Sequence, residues 1–271
     1  MVSVPSRMST STWQPGHHWW GWAPPDSPIR VFPSGWPLNG AAMADLIVAL
    51  DLRSVDDALA MVDRLPDLEW AKVGPVLFVR EGPAILQRLK QRGIKVFLDL
   101  KWYDIPNSVA GAAAGAADQG VDLATVHALG GEKMLAAAVE ASGPMKLAAV
   151  TVLTSYDPDL YWNTMGRDGV TDLGPEVSRL AQLAVGAGVD GVVTSPLEVA
   201  AVRSVVGPDP WIVTPGIRPP EADVGDQRRT ADPASAVMAG ATHLVVGRPI
   251  TGAESPDEVY KSIRKEMRKT R

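Results

Sequence analysis

The densest set of ionisable side chains lies in the segment Phe97-Leu-Asp99-Leu-Lys101-Trp-Tyr-Asp104-Ile-Pro. Asp99 and Lys101 are two residues apart, so on an extended strand their side chains project from the same face. Asp104 follows where the chain leaves that strand. A lysine ammonium between carboxylates can donate a proton to a developing carbanion, because the carboxylates orient it and raise its pKa. The alternative is an ordinary ion-pair network at a strand end.

Two earlier residues, Asp51 and Lys72, extend this set. Asp51 ends one apolar run and Lys72 lies in the next. If these runs are neighbouring strands, the residues complete an alternating array of carboxylates and ammonium groups. Because buried charges are costly unless they are paired, such an array favours a catalytic role over a purely stabilising one.

A second group of polar residues is typical of a phosphate site. Arg218 and the pair Gly247-Arg248 each follow a late apolar run. Glycine lets a phosphate approach backbone N–H groups, and arginine adds charge and a bidentate donor. Between Arg218 and Thr230 lies a long polar loop of a kind that often closes over a site, and its Gln227 could then bridge a base edge and a phosphate. The alternatives are an exposed turn with a solvated arginine and a solvent-exposed glutamine.

These residues follow apolar runs that alternate with amphipathic segments. Eight runs rich in Val, Ile, Leu and Ala are typical of parallel strands buried on both faces. We expect strands at Leu46–Leu50, Trp70–Val73, Ile94–Leu98, Leu123–Val126, Leu147–Leu153, Gly191–Val193, Trp211–Val213 and His243–Val246. We expect helices at Asp56–Leu65, Ala84–Arg92, Ser108–Gln119, Glu132–Ala141, Glu176–Ala187, Leu197–Val206, Pro233–Ala239 and Asp257–Arg268. This strict alternation predicts a single (β/α)8 TIM barrel with its site at the C-terminal ends of the strands. An open doubly wound sheet is the alternative, but no Gly-x-Gly-x-x-Gly follows the first strand.

Composition excludes several classes of protein. The 271 residues include 26 Lys and Arg against 31 Asp and Glu, a formal net charge of −5, which argues against a nucleic-acid partner bound through a general basic surface. The absence of cysteine excludes disulfides, thiolate metal sites and a cysteine nucleophile. Since no apolar run approaches the roughly 20 residues that span a bilayer, we expect no membrane partner either.

Residues 1–40 differ from the rest of the chain. They contain five of the nine tryptophans and seven of the 23 prolines, without helical or strand periodicity. His17 and His18 could be metal ligands, but no further ligand follows at metal-site spacing, which favours a flexible tail. We expect residues 1–40 to be a disordered extension or no part of the native fold, and residues 43–271 to be the barrel domain, with Met43 as an alternative translation start.

The motifs of this chain resemble the orotidine 5′-phosphate decarboxylase family. They are Ala-Leu-Asp51, Lys72-Val-Gly, Asp99-Leu-Lys101-x-x-Asp104-Ile-Pro, Leu-Thr154-Ser, Pro-Gly-Ile-Arg218 and Val-Gly247-Arg248, in order and with compatible spacing from about Leu46 to Arg264. The resemblance implies a homodimeric barrel that converts orotidine 5′-monophosphate (OMP) to UMP and CO2. It also implies a cytoplasmic enzyme of pyrimidine biosynthesis that uses no metal and no organic cofactor.

The resemblance further implies roles for the central segment. Lys101 would protonate C6 of the pyrimidine as CO2 leaves, and Asp99 would lie beside the departing carboxylate. Asp104 would reach the site of the partner subunit and complete the charge array there. Ile105 and Pro106 would help to shape the pocket.

The resemblance also implies which residues bind the rest of the substrate. Asp51 and Lys72 would hold the ribose hydroxyls, with Lys72 belonging to the charge array as well. Thr154 would read the pyrimidine edge, and Gln227 would link the base to the phosphate. The residues implied at the phosphate are Arg218, Gly247 and Arg248.

Two positions depart from the family's pattern. Trp102-Tyr103 replaces a smaller or histidine-containing pair, and Ser108 stands where threonine is usual but keeps a hydroxyl for hydrogen bonding. The alternative enzyme is a related sugar-phosphate enzyme, such as a 3-keto-gulonate-phosphate decarboxylase or a hexulose-phosphate synthase. Those enzymes need Mg²⁺, and an acid usually occupies the position of Lys72, whose charge repels a divalent cation. An alternative of another class is a non-catalytic binder of a phosphate ligand, which has no need of a proton donor between carboxylates.

Overall fold

Eight parallel strands close into a barrel in the order of the chain. The structure is a computed structural model that describes residues 44–166, 172–218 and 229–269, all within the unit formed by residues 37–271. The strands are β1 (Asp45–Ala49), β2 (Trp70–Val73), β3 (Lys95–Trp102), β4 (Leu123–His127), β5 (Lys146–Val150), β6 (Gly191–Val193), β7 (Trp211–Thr214) and β8 (His243–Val246). β1 pairs with both β2 and β8, which closes the barrel. The predicted (β/α)8 barrel is therefore confirmed, whereas the expected extension of residues 1–40 lies outside the described residues.

Helices follow the strands on the outside of the barrel. Those in the described ranges are α1 (Val55–Asp63), α2 (Pro75–Glu81), α3 (Ala84–Lys90), α4 (Pro106–Asp118), α5 (Gly131–Ala141), α6 (Pro158–Thr164), α7 (Gly174–Gly186), α8 (Val199–Val206), α9 (Pro233–Met238), α10 (Arg248–Thr251) and α11 (Pro256–Arg268), with a 3-10 turn at Ala128–Gly130. Each predicted helix has a counterpart. The sequence did not predict the short helices α2, α6 and α10, which have seven, seven and four residues. None of the helices in these ranges combines the length and the apolar character that a membrane crossing requires.

Two apolar layers hold the barrel together. The inner layer fills the barrel with side chains such as Ile47, Phe97 and Leu123, which are at most 2% exposed. The outer layer lies between the strands and the helices, where Leu86 and Leu135 are equally buried. Each fully buried side chain of this kind contributes about 1.5–3 kcal/mol. The two layers make the strands a rigid support for the side chains at their ends.

The N-terminal end of the barrel interior carries a cluster of aromatic rings. Trp70, Trp211 and His243 are the first residues of their strands, and the Trp211 and His243 rings lie with their centroids 4.4 Å apart. Asp45 accepts a hydrogen bond from Trp70 Nε1 at 3.3 Å. A Cβ at Gly191 would lie 2.5 Å from the backbone oxygen of Trp211, so only glycine fits beside this cluster.

Candidate active site

The opposite, C-terminal end of the barrel opens into a cavity of about 470 Å³. Apolar side chains that point inward from the strands, such as Phe97, Val213 and Val245, form part of its wall. Eight of the residues predicted for the site also line it: Asp51, Lys72, Asp99, Lys101, Thr154, Arg218, Gly247 and Arg248. The fold thus gathers in one cavity polar residues that are far apart in the sequence.

Four of these side chains form an array of alternating charge. Lys72 Nζ lies 2.8 Å from Asp51 Oδ1 and 3.6 Å from Asp99 Oδ2. Lys101 Nζ lies 2.8 Å from Asp99 Oδ1, the second oxygen of the same carboxyl group. Asp99 and Lys72 are nearly buried, with 13% and 10% of their side chains exposed, whereas Asp51 is half exposed. The buried charges are therefore all paired, and Lys101 and Asp51 are the two ends of the array.

Gly74 gives this array the room that it needs. It is the residue before α2, and a Cβ there would lie 2.8 Å from Asp51 Oδ1 and 3.0 Å from Lys72 Nζ. Its φ of −97° is open to any residue. The glycine is thus required for space and not for backbone conformation, which explains why it follows Lys72 so closely.

Opposing influences act on the pKa of Asp99 in this array. Burial alone would raise the pKa of its carboxyl group. The positive charges of Lys72 and Lys101, together with hydrogen bonds from Lys101 and Thr125, outweigh burial and hold that pKa below its ordinary value. Asp99 is consequently ionised at neutral pH and remains the partner of two cations.

The backbone that carries Lys101 departs from a regular strand. Leu98 pairs with Ala124 and Trp102 pairs with Val126, so three residues of β3, numbers 99–101, face one residue of β4. Lys101 has a φ of +53°, and it is the one non-glycine residue with positive φ in the described part of the chain. The predicted meeting of Asp99 and Lys101 is present, but its predicted cause, regular alternation along an extended strand, is wrong.

The loops after β7 and β8 bring two guanidinium groups to the cavity. Arg218 follows Gly216, whose φ of +83° favours glycine, and Arg248 is the first residue of α10. A Cβ at Gly247 would make only an ordinary contact with Ala49 at 3.5 Å, so the protein itself leaves space there. Two arginines beside an open glycine suit an anionic group such as a phosphate. Gln227, predicted to act from the preceding loop, lies outside the described residues.

Four predicted site residues do not line the cavity of their own chain. Asp104, Ile105, Pro106 and Ser108 are all exposed on the way into α4. Asp104 Oδ1 accepts a hydrogen bond from the backbone N–H of Ile105 at 2.6 Å, whereas within the described ranges the carboxylates paired with Lys72 and Lys101 are those of Asp51 and Asp99. Within a single chain these residues therefore make no part of the pocket.

The unusual pair Trp102-Tyr103 also stays out of the cavity. Trp102 packs against the outer apolar layer, and Tyr103 is 63% exposed with its ring 5.7 Å from the ring of His127. Burial and the nearby charge of Lys101 lower the pKa of His127, so its imidazole is neutral at neutral pH. The bulk of the pair consequently takes no space in the cavity of its own chain.

Sequence reasoning missed two buried groups next to the site. Thr125 is fully buried in β4 and contacts both Asp99 and Lys101, but a single threonine in an apolar run gives no functional signal. Arg229 Nη1 lies 2.7 Å from Glu198 Oε1, and its Nη2 donates to the backbone oxygen of Leu153 at 3.0 Å. This ion pair fixes the residue before Thr154, yet in sequence Arg229 belongs to a polar loop that reads as solvated.

The sequence is similar to that of known orotidine 5′-phosphate decarboxylases. A family model described as "Orotidine 5′-phosphate decarboxylase / HUMPS family" matches residues 44–263. A protein of Alkalilimnicola ehrlichii named "Orotidine 5′-phosphate decarboxylase" is 51% identical over 228 residues, which cover 82% of this chain and 95% of the relative. A protein of the same name from Gloeothece citriformis is 45% identical over 232 residues, covering 82% and 97% of the two chains.

A solved structure shows the same fold. The crystal structure of an orotidine 5′-phosphate decarboxylase from Lactobacillus acidophilus has a TM-score of 0.73 and 38% sequence identity. The match covers 83% of this chain and 99% of the other. The likeness therefore extends over the whole of that barrel.

Proposed function

The chain belongs to the orotidine 5′-phosphate decarboxylase / HUMPS family and is a carboxy-lyase, and we propose that its substrate is OMP, which it converts to UMP and CO2. The family predicted from the motifs is thereby confirmed. The observation that carries the proposal for the substrate is the cavity itself. It places a lysine ammonium paired with a buried carboxylate and two arginines in one space of nucleotide size.

Lys101 is the proton donor in the proposed reaction. The bond between C6 and the carboxylate carbon breaks, CO2 leaves without the bonding electrons, and these electrons stay on C6. Lys101 Nζ then gives a proton to C6, and the neutral amine regains a proton from solvent. Because Asp99 holds the ammonium at 2.8 Å, the donor is oriented before the reaction begins.

Asp99 has a second effect on the same step. We place the substrate carboxylate next to this buried, ionised side chain. Repulsion between the two negative charges is strongest in the bound substrate and falls as charge moves onto the ring. A repulsion that is weaker in the transition state than in the bound substrate raises the rate of the chemical step.

The other lining residues bind the remainder of OMP. Arg218, Gly247 and Arg248 receive the phosphate, because they present positive charge and open backbone where the last two strands end. Asp51 and Lys72 bind the ribose hydroxyls, and Thr154 hydrogen-bonds to the pyrimidine edge. Distant binding contacts of this kind supply energy that orients the reacting carboxylate.

We further propose a homodimer in which Asp104 completes the array of the partner subunit. Asp104 and Ile105 are exposed and stand outside their own cavity. Ile105, the residue after Asp104, is a large apolar side chain that is 66% exposed. A second copy would bury it. On the same family ground we propose that the enzyme works in the cytoplasm in pyrimidine biosynthesis, with residues 43–271 as the catalytic domain.

The test follows the loss of OMP by its ultraviolet absorbance. The purified protein is expected to consume OMP, and Lys101→Ala is expected to lower kcat by at least about 100-fold while UMP still binds. Lys133→Ala is the matched control, since Lys133 is an exposed lysine on α5 outside the cavity. If the wild-type protein binds UMP but leaves OMP unchanged, the protein is a non-catalytic binder. If the Lys101→Ala variant is as active as wild type, Lys101 is not the proton donor.

Treatment with EDTA separates the proposal from the sugar-phosphate alternative. Lys72 Nζ lies between Asp51 and Asp99, where its charge opposes a divalent cation at these two carboxylates. Consumption of OMP is therefore expected to survive EDTA. A strict requirement for Mg²⁺ would contradict the proposed function.

A further inference from the structure

Thr125 contacts both members of the Asp99–Lys101 pair from the neighbouring strand β4. Its hydroxyl donates to Asp99 Oδ1 at 3.0 Å and accepts from the backbone N–H of Lys101 at 2.8 Å. The side chain is fully buried in β4 and does not line the cavity. Any effect of Thr125 on a ligand in the cavity must therefore be transmitted by Asp99 and Lys101.

The two contacts meet where β3 departs from the sheet. Residues 99–101 of β3 face Thr125 alone, so the backbone N–H of Lys101 has no place in the regular ladder between the strands. A buried N–H needs a partner, and the threonine hydroxyl is that partner. Lys101 at the same time has a left-handed φ of +53°, a conformation that persists for a non-glycine residue only where its surroundings hold it.

The chemistry of the hydroxyl fits both demands at once. A threonine hydroxyl has one hydrogen to donate and two lone pairs to accept with. Its hydrogen points to the Asp99 carboxylate, and one lone pair takes the N–H of Lys101. Valine has the same shape but can do neither, whereas serine can do both.

We propose that Thr125 is the positioning residue of the decarboxylation, which fixes the left-handed backbone of Lys101 and the orientation of the Asp99 carboxylate so that the ammonium faces C6. This inference rests on the proposed function. The charged groups facing Asp99 are Lys72 from β2 and Lys101, so Thr125 is the neutral contact among its partners. A purely structural threonine would support the fold without affecting the chemical step.

The test compares Thr125→Val with Thr125→Ser and with a matched control. The control is Thr151→Val, because Thr151 is equally buried and its hydroxyl donates to the backbone oxygen of Val193 at 2.9 Å, away from Asp99 and Lys101. kcat and KM for OMP, the Kd of UMP and the melting temperature are measured for each. Thr125→Val is expected to lower kcat about 10- to 100-fold, with KM and Kd within about threefold of wild type. Thr125→Ser is expected to stay within about threefold of wild type throughout.

The pH profile gives a readout that a structural role would not move. Loss of the hydroxyl removes a hydrogen bond that lowers the pKa of Asp99, so the acid limb of kcat/KM in Thr125→Val is expected to shift to higher pH. Thr151→Val is expected to lower the melting temperature and leave that limb in place. If Thr125→Val fails to fold, Thr125→Ala replaces it in every measurement.

Three results would overturn the proposal. They are a Thr125→Val kcat equal to that of wild type, a Thr125→Ser kcat as low as that of Thr125→Val, and an unchanged acid limb. If wild type does not consume OMP, the proposed function fails and the crystal structure of Thr125→Val decides the inference separately. Lys101 with its φ still positive and its Nζ still at Asp99 would then refute it.

Discussion

His243 is expected to make the stability of the protein depend on pH. It is buried at the N-terminal end of the barrel, with 6% of its side chain exposed and its ring against those of Trp211 and Trp70. Burial, assisted by the charge of Lys95, lowers the pKa of His243 from 6.5 to about 4. Between about pH 4 and pH 6.5 the imidazole is therefore neutral in the folded protein but protonated in the unfolded chain.

The sign and size of the effect follow from these two values. Between pH 6.5 and about 4 the unfolded chain binds a proton that the folded protein does not, so the free energy of unfolding falls as the pH falls through this window. At about 1.4 kcal/mol per pH unit, the interval corresponds to a loss of about 3 kcal/mol. This is an upper limit, because Asp45 Oδ2 lies 3.7 Å from His243 Nε2 and favours the protonated ring.

His243→Phe isolates this contribution. Phenylalanine keeps a ring against Trp211 but does not titrate, so urea unfolding from about pH 8 to about pH 4.5 is expected to show a smaller loss of stability in the variant. The protein concentration is held constant, since self-association would shift the apparent stability. The activity profile is expected to be unchanged, because His243 lies at the end of the barrel opposite Lys101. Parallel stability curves for the variant and wild type would refute the reasoning.

Two further substitutions test contacts around the cavity. Gly74→Ala places a Cβ 2.8 Å from Asp51 Oδ1 and is expected to raise KM for OMP about tenfold by displacing that carboxylate. The control is Gly111→Ala, because a Cβ there meets nothing within 4 Å. An unchanged KM for Gly74→Ala would contradict the steric role of Gly74. Glu198→Gln leaves the buried Arg229 guanidinium without its counter-charge and is expected to lower the free energy of unfolding by about 3 kcal/mol, measured in urea. A loss below about 1 kcal/mol would show that the pair behaves as an exposed one.

The apolar runs predicted the barrel because their ends are marked in the sequence. β2, β6 and β8 begin and end where the sequence predicts, since each run is buried throughout and stops at a glycine or at a hydroxyl residue. β3 is the exception and extends to Trp102, four residues beyond the predicted end. The last four residues of β3 include the charged residues Asp99 and Lys101, so this part of the strand does not belong to an apolar run in the sequence.

The site was less predictable than the fold for a definite physical reason. Residue types and strand ends identified Asp99 and Lys101, but the bulge that contains them lies against Thr125, 24 residues from Lys101 in sequence. The spacing of apolar residues along one strand does not show which hydroxyl of a neighbouring strand accepts a hydrogen bond from the backbone N–H of Lys101. The Arg229–Glu198 pair was missed in the same way, because an ion pair between distant loops leaves no pattern in either.

The charges around the cavity show how an acidic protein can bind and decarboxylate an anion. Of its lining residues, Arg218 and Arg248 bring positive charge after β7 and β8, whereas Lys72 and Lys101 alternate with Asp51 and Asp99. Under the proposed function the phosphate lies beside these two arginines, and the substrate carboxylate lies beside the ionised Asp99. The arginines bind OMP and UMP alike, whereas Asp99 repels the carboxylate that only OMP carries. Only the developing carbanion gains from the nearby ammonium, so the array selectively stabilises the transition state.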